Sequence, residues 1–421
     1  MSLIGQWPRE QINEAFGRHV SSGKLAFFQS AGIDLIFGRR EGPYVWDLAG
    51  RRLLDCHCNG GVFNLGHRHP AVLAAVRSAL DELDIGNHHF VSEARARLAQ
   101  RLASSCPGKD LQRVIFAVGG GEAIDTAIKL ARGHTRRSKV ISAVGGYHGH
   151  TGLALAAGDP RYRDPFGPVA PGFVQVPFGD LAALEVAIDD ETAAVLFETV
   201  PATLGIVIPP ETFFPGVRRL CDAHGVMMIA DEVQTGLGRC GQTWAIASYG
   251  VAPDILVTGK GLSGGIYPIA ATVYRDSLNP ILHANPFIHI STFGGSEIGC
   301  YAALEVLRLV EEPGFLERVG RLAVLFADGL AELQHRHSSL LVEVRQKGLM
   351  IGLKMADPSC GPLLSLAGMQ YGMLTVYANH DPSVSQFLPP LILQEDEAGE
   401  ALRTLDQMLA WLSSRVTAPS S

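Results

Sequence analysis

The spacing of apolar residues predicts an α/β domain in the middle of the chain. Between about residues 113 and 273, short apolar runs alternate with stretches whose apolar positions recur at helical spacing. This alternation is typical of a largely parallel sheet covered by helices. The predicted strands are residues 114–118, 140–143, 173–176, 194–197, 226–230, 255–258 and 270–273, and the helical stretches between them include 123–132, 181–188 and 215–224.

The pattern changes after this region. A helical stretch at 298–311 ends before Pro313-Gly314, and three short predicted strands (342–344, 349–353 and 374–377) precede a final amphipathic helix at 397–412. We therefore predict three parts. Residues 1–61 form an N-terminal segment that packs with the smaller domain, residues 62–313 form a large domain, and residues 314–421 form a small C-terminal α+β domain.

Composition narrows the class of protein. The chain has 421 residues, of which 47% are hydrophobic, and a formal net charge of -7, which favours a globular enzyme of more than one domain. No basic cluster is longer than Arg136-Arg137, so we expect neither nucleic acid nor an anionic membrane as a partner. No apolar run approaches the roughly 20 residues of a membrane span. The N-terminus lacks the pattern of a signal peptide.

Cysteine and histidine usage gives no sign of a metal site. The seven cysteines are scattered and lack zinc-ligand spacing, and the histidines of the first half of the chain come without an acidic cluster. Single polar contacts account for these histidines better than metal ligation does. We therefore predict no bound metal, and reduced, buried thiols in a cytoplasmic protein.

Two charged residues follow two of the predicted buried strands. Asp231 follows the run 226–230, and Lys260 follows the run 255–258 after Gly259. Ligand sites of parallel sheets lie beyond the carboxyl ends of the strands. A carboxylate and an amine at that edge are what pyridoxal 5'-phosphate (PLP) requires. The lysine forms an imine with the cofactor aldehyde, and the aspartate keeps the pyridine nitrogen protonated so that the ring accepts electrons.

Glycines and an aromatic residue fall at the same predicted edge. Gly119, Gly120 and Gly121 follow the strand 114–118 and open a helix, so their backbone N–H groups are placed to bind a phosphate. A tight strand-to-helix turn explains these glycines equally well. Tyr147 and His148 follow the strand 140–143, where the tyrosine ring either stacks on a flat cofactor or simply covers the sheet edge.

Taken together, these pieces resemble the class III aminotransferases, the subgroup of PLP enzymes that includes ornithine, acetylornithine and 4-aminobutyrate aminotransferases. The most specific matching blocks are residues 229–239 and 259–265. Further blocks at 64–70 and 291–295 extend the resemblance over nearly the whole chain. It implies the aspartate-aminotransferase-like fold, also called fold type I, with a large domain built on a mostly parallel sheet and a smaller α+β domain.

The resemblance also implies a role for each matching residue. Lys260 would bind PLP covalently and shuttle the proton, and Asp231 would pair with the ring nitrogen. Thr292 would contact the phosphate from the neighbouring subunit, which makes a homodimer part of the active site. The other implied cofactor contacts are Gly120 and Gly121 on the phosphate, Tyr147 and Val233 on the two faces of the ring, Gln234 on the phenolic oxygen, and His148 and Glu198 nearby.

Three positions depart from the family members that act on dicarboxylates. Two arginines of those relatives fall at His150 and Gln386, and a glutamate falls at Thr203. The relatives' arginine at position 386 and their glutamate at position 203 should be lost together, because a buried charge without its partner costs about 3–5 kcal/mol. We therefore expect that glutamate and 2-oxoglutarate do not bind in the relatives' pose. Either the amino donor differs, or another cation holds the carboxylate, such as Arg345, His88, His89 or His150.

These features predict a transaminase that exchanges an amino group between a primary amine or amino acid and an oxo acid or aldehyde by a ping-pong mechanism. Another class III reaction is the alternative (phospho-lyase, racemase, aminomutase or decarboxylase), and a catalytically idle PLP-binding regulator is a third interpretation. The predicted substrate-facing residues are Phe63, Phe90, His150 and Gln386.

Overall fold

The computed structural model describes residues 4–416. The first three residues of the predicted N-terminal segment and the last five of the predicted C-terminal domain lie outside the described residues. The helices are α1 (Arg9–His19), α2 (Ser22–Ser30), α3 (Cys58–Gly61), α4 (Pro70–Glu82), α5 (Glu93–Ser105), α6 (Gly120–Thr135), α7 (Gly152–Ala157), α8 (Pro160–Arg163), α9 (Leu181–Ala187), α10 (Phe213–His224), α11 (Pro280–Ala284), α12 (Glu297–Val310), α13 (Phe315–Arg336), α14 (Cys360–Tyr371) and α15 (Glu395–Val416). The strands are β1 (Phe37–Glu41), β2 (Tyr44–Asp47), β3 (Arg52–Asp55), β4 (Leu111–Ala117), β5 (Lys139–Ala143), β6 (Phe173–Val176), β7 (Thr192–Glu198), β8 (Met227–Asp231), β9 (Ile255–Thr258), β10 (Ala270–Arg275), β11 (Leu341–Lys347), β12 (Met350–Met355), β13 (Met373–Leu374), β14 (Val376–Tyr377) and β15 (Val384–Phe387).

The predicted central sheet is present. Its seven strands have the order β4-β10-β9-β8-β7-β5-β6. The strands from β6 to β9 are parallel, and β10 is antiparallel to both of its neighbours. Every residue of β7 and β9 is buried, because helices cover both faces and only continuous apolar runs suit such strands. The carboxyl ends of β7, β8 and β9 therefore meet at one edge of the sheet.

Helix α6 fixes the glycine-rich turn against this sheet. Its apolar side is fully buried, and Ile124, Ala127, Ile128 and Ala131 recur at helical spacing against the strands. Burying a side chain such as isoleucine stabilises the fold by about 1.5–3 kcal/mol. The helix begins at Gly120, three residues before the predicted start, so the glycines form its first turn.

The remaining strands form two smaller sheets of four strands each, in the orders β1-β2-β3-β13 and β11-β12-β15-β14. The single strand predicted at 374–377 is divided between them. β13 pairs in parallel with β3, through hydrogen bonds that include Cys56 N–H to Leu374 C=O at 3.0 Å, whereas β14 pairs antiparallel with β15. The change of sheet at Thr375 joins the N-terminal strands to the C-terminal part of the chain.

Across residues 4–416, we find no helix that combines the length and the apolar character needed to cross a membrane.

Candidate active site

Lys260 stands at the carboxyl end of β9, in a short 3-10 turn that runs from Lys260 to Ser263. Its backbone has a φ of 43°, a left-handed conformation that costs a residue with a Cβ on the order of 1–3 kcal/mol and is common at functional sites. The Nζ atom donates a hydrogen bond to Gln234 Oε1 at 2.7 Å. Burial lowers the pKa of Lys260, and the charges of Glu198 and Asp231 oppose that change. Burial thus favours the neutral, nucleophilic amine.

Asp231 ends the neighbouring strand β8 and forms a buried pair with His148. Its Oδ2 atom lies 2.8 Å from His148 Nδ1, and its Oδ1 accepts the Val233 N–H at 3.1 Å. Burial lowers the pKa of His148, but the hydrogen bond and the charge of Asp231 outweigh it, so the pKa is raised. The other ring nitrogen, Nε2, is buried and has no hydrogen-bond partner among the described residues. Asp231 and His148 thus form one buried, hydrogen-bonded pair at the carboxyl end of β8.

Glu198 is the second carboxylate-bearing residue at this edge, at the end of β7. Its Oε1 accepts the Tyr147 N–H at 3.0 Å, which holds the loop after β5 over the sheet. Burial raises the pKa of Glu198 to about 7; the positive charge of His148 opposes this change, and the negative charge of Asp231 adds to it. Burial thus favours the protonated form of Glu198, which limits the repulsion between the two carboxylates.

The glycine turn is packed too closely for side chains. A Cβ on Gly121 would lie 2.9 Å from Thr151 Oγ1, and a Cβ on Gly149, whose φ is +125°, would lie 2.7 Å from the Gly121 Cα. The first N–H groups of a helix have no partner within the helix, and they carry its positive dipole end. The first turn of α6 can therefore bind an anion such as a phosphate through its backbone.

The predicted site residues largely come together. One cavity of about 150 Å³ is lined by Gly120, Gly121, Tyr147, His148, Gly149, Glu198, Asp231, Val233, Gln234, Thr235 and Lys260. Nine of these are predicted site residues, and Gly149 and Thr235 lie within motifs that the sequence already singled out. Gly60 was not foreseen. A Cβ on it would lie 3.5 Å from Lys260 Nζ, and nothing in its sequence context marks that position.

The other predicted residues lie away from this cavity. Thr292 and Phe90 are exposed, the latter by 71%, and Gln386 is buried in β15 opposite Gly352. The ring of His150 packs edge-to-face on Tyr147 at 5.3 Å, so it lies at the rim. Phe63 stacks on His67 at 4.0 Å, on the far side of Lys260.

Two fully buried charges hold the walls of the site. Glu232 accepts hydrogen bonds from the hydroxyls of Thr199 and Thr235 at 2.6 and 2.7 Å, and from two backbone N–H groups. Arg239 donates to Asn64 Oδ1 at 2.7 Å and to the carbonyls of residues 349 and 389. Since these partners lie far apart in the sequence, Arg239 ties the segment at Asn64 to the C-terminal part of the chain.

These groups together suit one kind of cofactor. A buried amine, a buried carboxylate and a helix N-terminus match an aldehyde, a basic ring nitrogen and a phosphate, the three functional groups of PLP. The Nε2 atom of Gln234 is buried without a hydrogen-bond partner in the described chain, so it is free to donate to a bound cofactor. Within residues 4–416, no group of three or more His, Cys, Asp or Glu side chains is arranged to hold a metal ion.

Comparison with known proteins agrees with this chemistry. The family model "Aminotransferase class-III" matches residues 29–409. An uncharacterized aminotransferase of Archaeoglobus fulgidus is 58% identical over 397 residues, which cover 94% of this chain and 93% of the relative. The acetylornithine aminotransferase of Methanopyrus kandleri is 40% identical, over 88% of this chain and 92% of the relative.

A solved structure supports the fold and the cofactor. The ornithine aminotransferase of Toxoplasma gondii, crystallised with PLP at partial occupancy in its active site, is 26% identical with a TM-score of 0.86. The match covers 97% of this chain and 99% of that enzyme. The predicted family, fold type and cofactor are therefore confirmed. The chain belongs to the class III aminotransferases and is a PLP-dependent transaminase.

Proposed function

We propose that the cavity at the ends of β7, β8 and β9 binds PLP and that Lys260 and Asp231 are its catalytic residues. The observation that carries this proposal is the convergence of the Lys260 amine, the Asp231 carboxylate and the first turn of α6 on one small cavity. When bound, PLP supplies an aldehyde for covalent attachment and a ring that accepts electrons. Lys260 Nζ would then carry a proton to and from the reacting carbon, and Asp231 would hold a proton on the ring nitrogen.

The surrounding residues would orient the cofactor. Tyr147 and Val233 would cover its two faces, and Gln234 Nε2 would donate to its phenolic oxygen. Gly120 and Gly121 would bind its phosphate through backbone N–H groups. His148 and Glu198 would act behind these contacts, because His148 holds Asp231 by a 2.8 Å hydrogen bond and Glu198 holds the backbone of Tyr147.

The substrate side departs from enzymes that use dicarboxylates. We propose that four residues face the substrate: His150, Gln386, Phe63 and Phe90. Positions 150 and 386 therefore lack the arginines of the relatives that act on dicarboxylates. Thr203 donates its hydroxyl to the Gly145 carbonyl at 3.1 Å, so it is not a counter-charge. Arg345 is already engaged, with Glu343 at 2.9 Å and the Gly205 carbonyl at 2.8 Å. Arg345 is therefore not free to replace the carboxylate clamp of those relatives.

L-Glutamate is therefore expected to be a poor amino donor. A lost arginine–carboxylate contact lowers affinity by roughly tenfold to a hundredfold. Stopped-flow absorption would follow the single-turnover conversion of the enzyme to its pyridoxamine form by L-glutamate, with a panel of primary amines beside it. Conversion as fast as that of an ornithine aminotransferase run in parallel would reject this substrate proposal and leave the cofactor site untouched.

We further propose a homodimer in which Thr292 contacts the phosphate of the partner. Large apolar side chains are exposed on two neighbouring segments, with Phe90 exposed by 71%, Phe287 by 65% and Phe293 by 56%. His89 and Phe287 lie 5.7 Å apart, which brings the two segments into one apolar surface. Monomeric proteins seldom expose a contiguous surface of this kind. Thr292 lies on this surface and does not line its own cavity.

Mixed dimers test the position of Thr292. Thr292→Ala is expected to weaken PLP binding, and Lys260→Ala to remove activity. Unfolding and refolding the two variants together would yield mixed dimers in which one site has both native residues. At limiting PLP, the activity of the mixed dimers should then exceed the summed activities of the two variants assayed separately. If the activity does not rise, Thr292 acts in the site of its own subunit or in neither site.

Finally, we propose that the enzyme is cytoplasmic. All seven cysteines are free and buried. Proteins of oxidising compartments commonly pair their thiols in disulfides, so free thiols favour a reducing compartment such as the cytoplasm.

A further inference from the structure

One short segment lies between the cofactor site and the sheet β11-β12-β15-β14, which we call the C-terminal sheet. The segment is α8 (Pro160–Arg163) with the preceding Asp159, and Tyr162 is its half-buried aromatic residue. Tyr162 does not line the cavity at Lys260. Its two ends contact different parts of the protein, because the ring packs on the loop after β5 and the hydroxyl reaches the hairpin between β14 and β15.

The ring of Tyr162 belongs to a cluster of three aromatic rings. Its centroid lies 5.7 Å from that of Tyr147 and 5.3 Å from that of His150, and the Tyr147 and His150 rings are 5.3 Å apart. The interplanar angles of these three pairs are 81°, 90° and 70°, which is the edge-to-face geometry that aromatic rings prefer. Three rings in mutual contact restrict one another's rotation.

Tyr147 depends on this cluster for the orientation of its side chain. Its backbone is fixed by the N–H group, which donates to Glu198 Oε1 at 3.0 Å. Its hydroxyl forms no hydrogen bond with any residue from 4 to 416, so packing alone orients the ring. Of its two aromatic neighbours, His150 is exposed, whereas Tyr162 is half-buried and is also held at its far end. Tyr162 is therefore the fixed neighbour on which the Tyr147 ring rests.

The far end of Tyr162 is anchored on the hairpin between β14 and β15. The Asn379 side-chain amide donates a hydrogen bond to the Tyr162 hydroxyl at 2.7 Å. Two further contacts join the same segments, since Arg161 donates to the Asn379 carbonyl and His380 Nδ1 lies 3.0 Å from Asp159 Oδ2. Because β14 and β15 belong to the C-terminal sheet, the position of that sheet sets the position of the Tyr162 ring.

We propose that Tyr162 is a positioning residue: held by Asn379 of the hairpin, it keeps the Tyr147 ring in place for the cofactor. This role rests on the proposed placement of Tyr147 over one face of PLP. Without Tyr162, the Tyr147 ring would have to be ordered when the cofactor binds, and immobilising one such side chain lowers affinity by roughly twofold to tenfold. Tyr162 thereby transmits a displacement of the C-terminal sheet to the ring that covers the cofactor.

Binding of an aldehyde-free cofactor analogue tests this role apart from the covalent chemistry. Pyridoxine 5'-phosphate is titrated by calorimetry into the full-length, cofactor-free wild type, Tyr147→Leu, Tyr162→Leu and the double variant. Each single variant should bind the analogue roughly twofold to tenfold more weakly than the wild type. The double variant should bind no more weakly than Tyr147→Leu, because Tyr162 acts only through the Tyr147 ring. Tyr371→Leu, which removes a half-buried tyrosine of α14, should match the wild type.

These titrations separate the two kinds of failure. Wild-type affinity in Tyr162→Leu, or losses of affinity that add up in the double variant, would overturn the positioning role and leave Tyr147 on the cofactor. Wild-type affinity in Tyr147→Leu would instead refute the proposed contact of Tyr147 with the cofactor ring, and the role of Tyr162 with it. The fitted stoichiometry gives the folded fraction of each variant, so misfolding is not counted as weaker binding.

The hydrogen bond to the hairpin has a test of its own. Tyr162→Phe keeps the ring and removes the hydroxyl, and Asn379→Ala removes the donor from the other side. Both should weaken binding of the analogue by the same factor, smaller than that of Tyr162→Leu, and combining them should cause no further loss. Unchanged affinity in both variants would show that the hairpin does not hold Tyr162 and would overturn the link to the C-terminal sheet.

Discussion

Replacing Lys260 with alanine is expected to abolish turnover and covalent cofactor attachment together. General acid–base catalysis by a positioned side chain contributes about 10²–10⁴-fold, and here the same amine also forms the covalent link, so the loss should exceed that range. Absorption spectroscopy of the purified variant and mass spectrometry after borohydride reduction would measure both effects. Wild-type protein should carry the added mass of the reduced cofactor on the peptide that contains Lys260.

Local folding should survive this change. Alanine has a Cβ, so it meets the same strain at a φ of 43° as lysine does, and the lost hydrogen bond to Gln234 is part-buried. Lys109→Ala, which removes an exposed lysine far from the cavity, is a suitable control. A variant Lys260→Ala that still attaches PLP covalently, or a reduced cofactor found on a different lysine, would remove Lys260 from the reaction.

Replacing Asp231 with asparagine is expected to lower kcat/KM by roughly 10²- to 10⁴-fold. Asp231 would keep a proton on the ring nitrogen, and a positioned side chain that controls a proton in the reaction typically contributes about 10²–10⁴-fold. The variant would lose the negative charge that faces the ring nitrogen, and His148 would lose its counter-charge at 2.8 Å. Single-turnover kinetics with the best amine would measure the effect on the reaction itself.

The histidine provides a second signal for the same variant. Asp231 raises the pKa of His148 against burial, which lowers it. In the asparagine variant only the charge of Glu198 still opposes burial, so the titration midpoint of His148 in an NMR experiment should move to lower pH. Asp276→Asn, which removes an exposed carboxylate paired with Arg113 at 2.6 Å, should change neither the kinetics nor this midpoint. A His148 midpoint that stays in place in the Asp231 variant would show that the pair does not carry the charge.

Apolar runs predicted the central sheet well because burial on both faces demands them. All seven of its strands were found, with ends shifted by a few residues. The strand β15 was missed, since two adjacent polar residues separate Val384 from Phe387 and the segment is buried between β12 and β14. The strand at 374–377 was predicted as one piece because nothing in four consecutive residues signals a change of sheet. Such pairings depend on contacts distant in the chain.

The cofactor site was predictable for the same reason that the sheet was. Asp231 and Lys260 each follow a predicted strand, so sequence position alone places them at one edge, whereas Glu198 was predicted only through the family resemblance. Gly60 was not foreseen, because it comes from a segment with no periodic pattern and approaches Lys260 only in the folded chain. Among the three interpretations of the reaction, the family match confirms the transaminase. The residue roles, the domain boundaries and the dimer stay predictions.

The parallel pairing of β3 with β13 also constrains how the chain is made. A ribosome releases β1, β2 and β3 at the start of synthesis, yet the strand that completes their sheet emerges close to the end. During that interval the β3 edge has unpaired N–H and C=O groups, the kind of surface on which nascent chains aggregate. Expression at lower temperature or with added chaperones should therefore raise the soluble yield of this enzyme, and truncation before Met373 should expose the same edge permanently.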